Sequence, residues 1–337
     1  MVQDVVVPDT PKMPVSGRDY PRTWGQFLDW FHDDEACRHY LEGIRWGDGF
    51  LCPSCGESGV AFQSSRGRWI CRHCRHQCTV TAGTIFEKTR TPLRSWLAAV
   101  WYITNQKQGV TALGLQRVLG IRSYQTAWAM LHRLRRAMIR PGRERLHGVV
   151  EVDESFIGRS PPNKTQDTKK KQQLAEQFEA QRSIVVIAVE IKEPKGFGRI
   201  RLQRVTNKSA KAVLPFVLDS IKPGSVVRTD GSEAYRLLPR HGYQRDRTVM
   251  LGADDPAHVS MPGVHRVAAL LKRWLLGTHQ GAVQPKQLDY YLDEFTFRFN
   301  RRTSRSRGLL FYRMLQQALV TEPVTYAQIA QKEKHNI

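Results

Sequence analysis

Apolar residues recur at helical spacing in the middle of the chain. Between about 92 and 139 this pattern predicts three helices, PLRSWLAAVWYITNQ, TALGLQRVLG and SYQTAWAMLHRLRRAM, with Gly109 and Gly120 at the breaks. The short turn before the last helix favours either a helix-turn-helix that contacts DNA or a three-helix bundle that links two domains. Both interpretations stay open. In the first interpretation the basic residues of the last helix belong to the DNA-binding motif, and in the second they form a solvated basic end; they are His132, Arg133, Arg135 and Arg136.

From residue 149 the pattern changes to short runs rich in Val and Ile. It predicts strands at VVEVDESFI, SIVVIAVEI and RIRLQRV, then a helix near 208–220 and a fourth strand, SVVRT. This order is typical of an α/β fold with an RNase H-like sheet, in which the first and fourth strands lie side by side. The Lys-rich insertion SPPNKTQDTKKKQQLAEQFEAQ is expected to be a mobile loop, with DNA contact as one interpretation.

Two aspartates occupy these strands. Asp153 lies within the first strand, and Asp230 directly follows the fourth, 77 positions later. A charge between apolar strand residues is costly unless something pairs with it, so Asp153 is a candidate ligand. For Asp230 a role in a turn is the alternative, because Asp-Gly commonly follows a strand. If the two strands are neighbours, the carboxylates could hold one or two hard divalent cations beside a phosphodiester.

The next helical segment, VHRVAALLKRWLLG, is expected to supply a third ligand. His265, Ala269 and Lys272 share one helix face at this spacing, so an imidazole and an ammonium could face the two aspartates. An exposed amphipathic face is the alternative. The carboxylates held in reserve for the same role are Asp254, Asp255 and Glu294.

Five of the six cysteines lie between positions 52 and 78. Two CxxC pairs separated by fifteen residues predict a tetrahedral zinc site rather than a redox motif, which would occur once. Such a small ribbon needs the metal to fold. The predicted ligands are Cys52, Cys55, Cys71 and Cys74, with Cys78, His73 and His76 as competitors, and Cys37 is predicted to be a core residue.

The chain has 52 Lys and Arg against 31 Asp and Glu in 337 residues, a formal charge of +21. This excess favours a polyanionic partner. No long apolar run could span a bilayer, so a cytoplasmic protein is expected. The basic run RFNRRTSRSR predicts a phosphate track or a solvated tail, with neighbouring Phe residues favouring an anchored helix. The ribbon residues expected to touch phosphates or to solvate the surface are Arg66, Arg68, Arg72, His73, Arg75 and His76.

Several segments together resemble bacterial insertion-sequence transposases of the DDE class, in the subgroup with an amino-terminal zinc ribbon. RWGDGFLCPSCG resembles the ribbon, VEVDESFIG and TDGSEAY the strands of the first two aspartates, and LLKRWLLGTHQG with LDYYLDEFTFRFNRR the carboxy-terminal signature. The resemblance implies a zinc ribbon with a helical lead-in over 20–85, a helix-turn-helix-like module over 90–140 and an RNase H-like catalytic domain over 148–318.

The same resemblance implies a DNA transposase that binds terminal inverted repeats of double-stranded DNA and cleaves and transfers strands with Mg²⁺ or Mn²⁺. A homo-oligomer on DNA, associated with the nucleoid, is expected. The family usually carries Glu or Asn seven residues before its signature Lys or Arg, whereas this chain has His265 before Lys272. Because nitrogen is a poor magnesium ligand, the alternative is a zinc-ribbon DNA-binding regulator derived from an inactive transposase.

Overall fold

The structure is a computed structural model that describes residues 13–331 apart from 60, 65–66, 141, 159–181, 193, 195, 248–260 and 282. The Lys-rich insertion, Arg66 and the reserve carboxylates Asp254 and Asp255 lie outside the described residues. Packing divides the chain into two compact units: an N-terminal unit of Met1–Gln106 with Ser304–Pro323, and a sheet unit of Lys107–Thr303 with Val324–Ile337. The domain boundaries given above stay a prediction.

The first elements in chain order are α1 (Trp24–Trp30), α2 (Asp34–Trp46), β1 (Phe50–Leu51), β2 (Ser58–Gly59), β3 (Ala61–Gln63), β4 (Trp69–Cys71), β5 (Gln77–Cys78), α3 (Leu93–Asn105), α4 (Ala112–Leu119) and α5 (Tyr124–Arg136). They are followed by β6 (Val149–Ile157), β7 (Ser183–Ile191), β8 (Phe197–Val205), α6 (Ala210–Ser220), β9 (Val226–Thr229), β10 (Gln244–Arg247), α7 (Pro262–His279), α8 (Leu288–Asn300), α9 (Arg307–Val320) and α10 (Tyr326–Gln331). The predicted helices and strands are therefore confirmed.

The N-terminal unit combines α1, α2, α3 and α9 with the small strands of the ribbon. Side-chain oxygens cap the N-termini of the first two helices. Thr23 accepts a hydrogen bond from the backbone N–H of Gln26, and Asp33 accepts one from that of Ala36. Aromatic residues fill the core, where the Phe27 and Phe31 rings lie 4.8 Å apart. Cys37 is fully buried, as predicted.

The sheet unit is built on five strands in the order β10-β9-β6-β7-β8. β6, β7 and β8 pair antiparallel, whereas β9 pairs parallel with β6 and β10 parallel with β9. The return through α6 to β9 thus places the fourth strand beside the first, as predicted. Successive residues of a strand point to opposite faces, so alternate residues of β6 pack against different helices.

The apolar residues of the two faces form separate clusters. Val150, Val152 and Val227 pack with α6, whereas Ile187 and Val189 pack with α7 and α8 on the opposite face. Asp153 pairs with Ile187 in the ladder and therefore belongs to the face that α7 covers. Side chains on the first turns of α7 are thereby brought close to Asp153.

The expectation that the basic residues of α5 contact DNA or form a solvated end is wrong for two of the four. His132 and Arg135 are only 0% and 1% exposed and so cannot reach DNA. The Arg135 guanidinium donates to the buried Glu294 carboxylate at 2.7 Å, which explains why a basic side chain lies in the core. The helical pattern alone could not indicate this partner, because Glu294 lies 159 positions away.

The basic run after α8 is anchored to the sheet rather than extended as a tail. Asn300 accepts from the Ile200 backbone N–H at 2.7 Å and donates back to its carbonyl at 3.1 Å. Arg302 stacks on the Phe299 ring at 4.1 Å and donates to the carbonyl of Gly198. These contacts fix the end of α8 against β8.

Candidate active site and metal centre

Four cysteines of the ribbon come together at distances that suit one tetrahedral ion. Their sulfur atoms all lie within 4.8 Å of one another. The Cys52–Cys74 and Cys55–Cys71 sulfur pairs are 3.6 and 3.9 Å apart. Zn–S bonds of about 2.3 Å at tetrahedral angles require sulfur atoms about 3.8 Å apart. The four residues present therefore fit a zinc ion.

Both CxxC segments fold in the same way. The Gly56 N–H donates to the Cys52 carbonyl and the Arg75 N–H to the Cys71 carbonyl, each at 3.0 Å. Both donors have positive φ, 71° for Gly56 and 61° for Arg75, so each turn ends on a left-handed residue. Cys78 is instead a buried core residue, and His73 and His76 are exposed outside the cysteine group.

The strand register brings the two predicted aspartates together. In the parallel β6–β9 ladder, Val152 pairs with Thr229, so the next positions, Asp153 and Asp230, are neighbours on the face that α7 covers. One oxygen of each carboxylate is held by a backbone N–H, from Glu154 at 2.8 Å and from Ser232 at 3.0 Å. The carboxylates are thereby oriented at the point where the pairing between these two parallel strands ends.

The surroundings of Asp153 disfavour the ionised form of its carboxyl group. Burial, with the negative charge of Asp230, raises the pKa of Asp153 to about 6. The positive charge of Lys208 and the hydrogen bond from Glu154 oppose this rise without cancelling it. A bound cation would relieve the repulsion between the two aspartates.

Asp153, His265 and Lys272 line one open cleft of about 270 Å³, together with Arg182. His265 and Lys272 both project from α7, two turns apart, as predicted. Ala268 lines the cleft between them, whereas the predicted Ala269 is exposed. The cleft therefore combines carboxylates, an imidazole and two cationic side chains.

The position of α7 depends on a carboxylate that sequence reasoning missed. Glu151 is fully buried in β6, and its Oε2 accepts the Val264 backbone N–H at 3.0 Å in the first turn of α7. A Cβ at Gly263 would lie 2.8 Å from that same oxygen, so glycine permits the close approach. Glu151 thus fixes the first turn of α7 through Val264, the residue before His265.

Glu154 is a second missed carboxylate, and it lines the same cleft. It accepts a short hydrogen bond from the Tyr235 hydroxyl and lies 3.7 Å from the Lys208 ammonium. Burial raises its pKa, and the charge of Asp153 adds to the effect. The tandem Asp-Glu at 153–154 was the available signal in the sequence.

A cationic cluster surrounds the exposed ring of Phe156 beside these carboxylates. The Arg182 guanidinium lies 4.5 Å from the ring centroid and the Lys208 ammonium 4.8 Å. Phe156 thereby holds two cations near the mouth of the cleft, where a phosphate could bind. Sequence reasoning missed these three residues because they lie far apart along the chain and no local motif indicates that they are in contact.

Glu294 is excluded as the reserve ligand. It is completely buried and accepts from Arg135 and Arg298, both at 2.7 Å. Burial raises its pKa, but these two guanidinium groups outweigh that effect and lower it to about 2. Among the described residues, only the four cysteines form a group of three or more potential ligands close enough for one ion. Asp153, Asp230 and His265 are therefore not preassembled around a metal.

The architecture defines a zinc-ribbon protein with a paired-carboxylate site at the strand ends of a mixed sheet. Residues 145–300 match the ISXO2-like transposase domain, and residues 32–77 match the transposase zinc-ribbon domain. Both matches are to domains of transposases, and together with the relative described next they confirm the resemblance to insertion-sequence transposases with a zinc ribbon.

A relative from Halobacterium salinarum is described as an uncharacterized protein in transposable element ISH50. It is 26% identical over 276 residues, which covers 80% of this chain and 91% of that protein. In the part of the chain that the structure describes, no helix is both long and apolar enough to cross a membrane.

Proposed function

We propose that this chain is a DNA transposase that cuts the ends of an insertion sequence and joins them to target DNA, with Asp153 and Asp230 at its catalytic centre. The observation that carries the proposal is the adjacency of these carboxylates, one within β6 and the other directly after β9, inside the transposase-domain match. The strand order and the α6 crossover support an RNase H-like core. Acidic residues at adjacent strand ends suit metal-dependent phosphodiester chemistry.

The side chains present fit a divalent cation in their chemistry. Asp153 and Asp230 offer the hard oxygen ligands that Mg²⁺ and Mn²⁺ take, and burial together with the neighbouring charge of Asp230 raises the pKa of Asp153, which a bound cation would lower again. When bound, the cation would lower the pKa of the attacking water or hydroxyl and neutralise charge on the reacting phosphate. The structural zinc belongs to the four cysteines of the ribbon.

Each remaining cleft residue has a distinct part in the proposal. Lys272 and Arg182 bind the non-bridging oxygens of the reacting phosphate and its neighbour.

In cleavage, a water oxygen bonds to phosphorus and the bond to the 3′ oxygen breaks, which leaves a 3′ hydroxyl on the element. In joining, that 3′ oxygen bonds to a target phosphorus, and the target's own 3′ oxygen leaves.

His265 takes the third ligand position in this proposal. It stands in the first turn of α7, which packs against the face of β6 that carries Asp153. Imidazole accepts Mn²⁺ more readily than Mg²⁺, so manganese is the better match for an Asp-Asp-His set. Because the three side chains are not preassembled, their closure around one ion would accompany metal or DNA binding.

The proposed partner is double-stranded DNA, as the terminal inverted repeats and as the target. The exposed cations of the ribbon support contact with phosphates. Holding two element ends at once favours a homo-oligomer on DNA, and a nucleoid location follows from the same partner. The described ribbon cations that are exposed are Arg68, Arg72, His73, Arg75 and His76.

A nicking assay on supercoiled plasmid that carries the DNA flanking the gene tests this function. The parent protein should nick at the repeat ends with Mg²⁺ or Mn²⁺, whereas Asp153→Asn and Asp230→Asn should bind the same DNA without nicking it. Asp219→Asn, which changes an exposed carboxylate on α6, is the matched control and should nick at the parental rate. Binding without nicking by the parent would instead favour the regulator derived from an inactive transposase.

A further inference from the structure

A second cavity lies in the sheet unit and shares no residue with the carboxylate cleft. Its volume is about 300 Å³, and it opens between α5, α10 and the turn before α8. Aromatic side chains contribute much of its wall, among them Tyr124, Trp128 and Tyr326. A cavity of this size matches the lower end of pockets that hold small organic ligands.

The aromatic wall is positioned by the core beneath it. The Trp128 ring lies 4.2 Å from the ring of His132 and 5.8 Å from that of Tyr326. His132 is fully buried, so its ring supports the Trp128 indole on the core side. Tyr124 and Tyr326 are 51% and 47% exposed, which leaves two large aromatic side chains at the mouth of the cavity. Planar, partly exposed rings of this kind suit stacking against another planar group.

The polar part of the wall consists of amides and one cation. Gln125, Gln284 and Gln287 line the cavity, and Gln287 is only 7% exposed. Each amide carries both donors and an acceptor, as the edges of nucleobases do. Lys286 adds a positive charge, and no carboxylate is among the described residues that line the cavity. This wall favours a planar polar group next to a phosphate.

We propose that this cavity binds a single unpaired nucleobase of DNA, with the base stacked on Trp128 and its phosphate near Lys286. The inference rests on the proposed function for its DNA ligand but uses none of the catalytic residues. A base within a duplex is stacked and paired on both sides, so only an extruded or single-stranded base could enter. Stacking on an aromatic side chain is strong enough to give about tenfold tighter binding.

Paired oligonucleotides that differ only in the bases separate stacking from phosphate contact. The full chain is titrated, in buffer without divalent cations, with a fluorescent thymidine pentamer and with an abasic pentamer of the same length and charge. The parent should bind the thymidine pentamer about tenfold tighter. Equal affinity for the two pentamers would overturn the proposal.

Variants then locate that preference. Trp128→Leu and Tyr326→Ala should each abolish the difference between the pentamers, whereas Trp24→Leu, an exposed tryptophan of the N-terminal unit, should keep it. Tyr326→Ala is the second variant because its side chain is half exposed, so its loss should not prevent folding. A full base preference in either cavity variant would overturn the assignment.

A blunt duplex distinguishes this inference from the proposed function. If the parent and all variants bind the duplex equally and only the cavity variants lose the base preference, both the cavity inference and the proposed function are supported. If the parent binds the duplex but ignores the bases, the cavity inference alone fails. If the base preference depends on Trp128 while duplex binding is absent, the inference stands and the transposase proposal fails. A change of oligomeric state in Trp128→Leu, with no base preference in the parent, would indicate a protein partner and overturn the inference.

Discussion

Replacing Asp153 by Asn should make the protein more stable while removing its proposed catalytic function. The side chain keeps its shape, and its oxygen can still accept the Glu154 backbone N–H that Asp153 accepts at 2.8 Å. What disappears is a negative charge that is largely buried and lies beside Asp230. Removing this charge removes the free-energy cost of burying it, a cost that a bound cation would also reduce.

The size of the effect follows from the raised pKa of Asp153. Its ordinary value of 3.8 rises to about 6 in the folded protein. Below 3.8 the carboxyl group is protonated in both states and contributes nothing, whereas above about 6 it is ionised in both and destabilises the fold fully. At about 1.4 kcal/mol per pH unit, the destabilisation near neutral pH is about 3 kcal/mol. By linkage it falls to about half of that at about pH 5.

Urea unfolding of zinc-loaded protein, in buffer without Mg²⁺ or Mn²⁺, measures this difference. Asp153→Asn should exceed the parent in free energy of unfolding by up to about 3 kcal/mol at about pH 7.5, and the difference should narrow as the pH falls. Asp219→Asn, with its exposed carboxylate, should show no such pH-dependent gain. An Asp153→Asn protein no more stable than the parent at neutral pH would refute the reasoning, as would a difference that stays constant with pH.

Three further results are expected. Purified protein should contain one zinc ion, and Cys71→Ser should lower the zinc content and unfold the ribbon; unchanged zinc in the variant would contradict the four-cysteine site. His265→Ala should lower nicking by more than about tenfold, with the parent more active in Mn²⁺ than in Mg²⁺. A fully active His265→Ala protein would move the third ligand elsewhere. Glu294→Gln should destabilise the fold by about 3 to 5 kcal/mol because Arg135 would stay buried without its carboxylate, and unchanged stability would contradict that ion pair.

Local patterning was enough to predict much of the fold. The Val- and Ile-rich runs became β6, β7, β8 and β9, and the order of three strands, a helix and a return strand predicted that β9 lies beside β6. The adjacency of Asp153 and Asp230 follows directly from that order. The cysteine ligands were predictable from spacing alone, because a tetrahedral ion constrains four sulfur atoms in the same way in any fold.

Contacts between distant parts of the chain could not be predicted from a single sequence. Arg135 was expected at the surface, but it is buried because it pairs with Glu294. The same ion pair excludes Glu294 as a metal ligand. Glu151 likewise has no local signal for its role, since its partner Val264 lies 113 positions away in the first turn of α7. Both depend on how helices pack on the sheet, which hydrophobic periodicity leaves undetermined.

Strand joining by a pre-cut element end tests the central claim most directly. A duplex ending in the terminal repeat with a free 3′ hydroxyl is incubated with target plasmid, a divalent cation and the protein, and the joined product is quantified. The parent and Asp219→Asn should form joined product that requires the cation, whereas Asp153→Asn and Asp230→Asn should bind the duplex and form none. Joining by either of those two variants at the parental rate would contradict a catalytic centre built on this carboxylate pair.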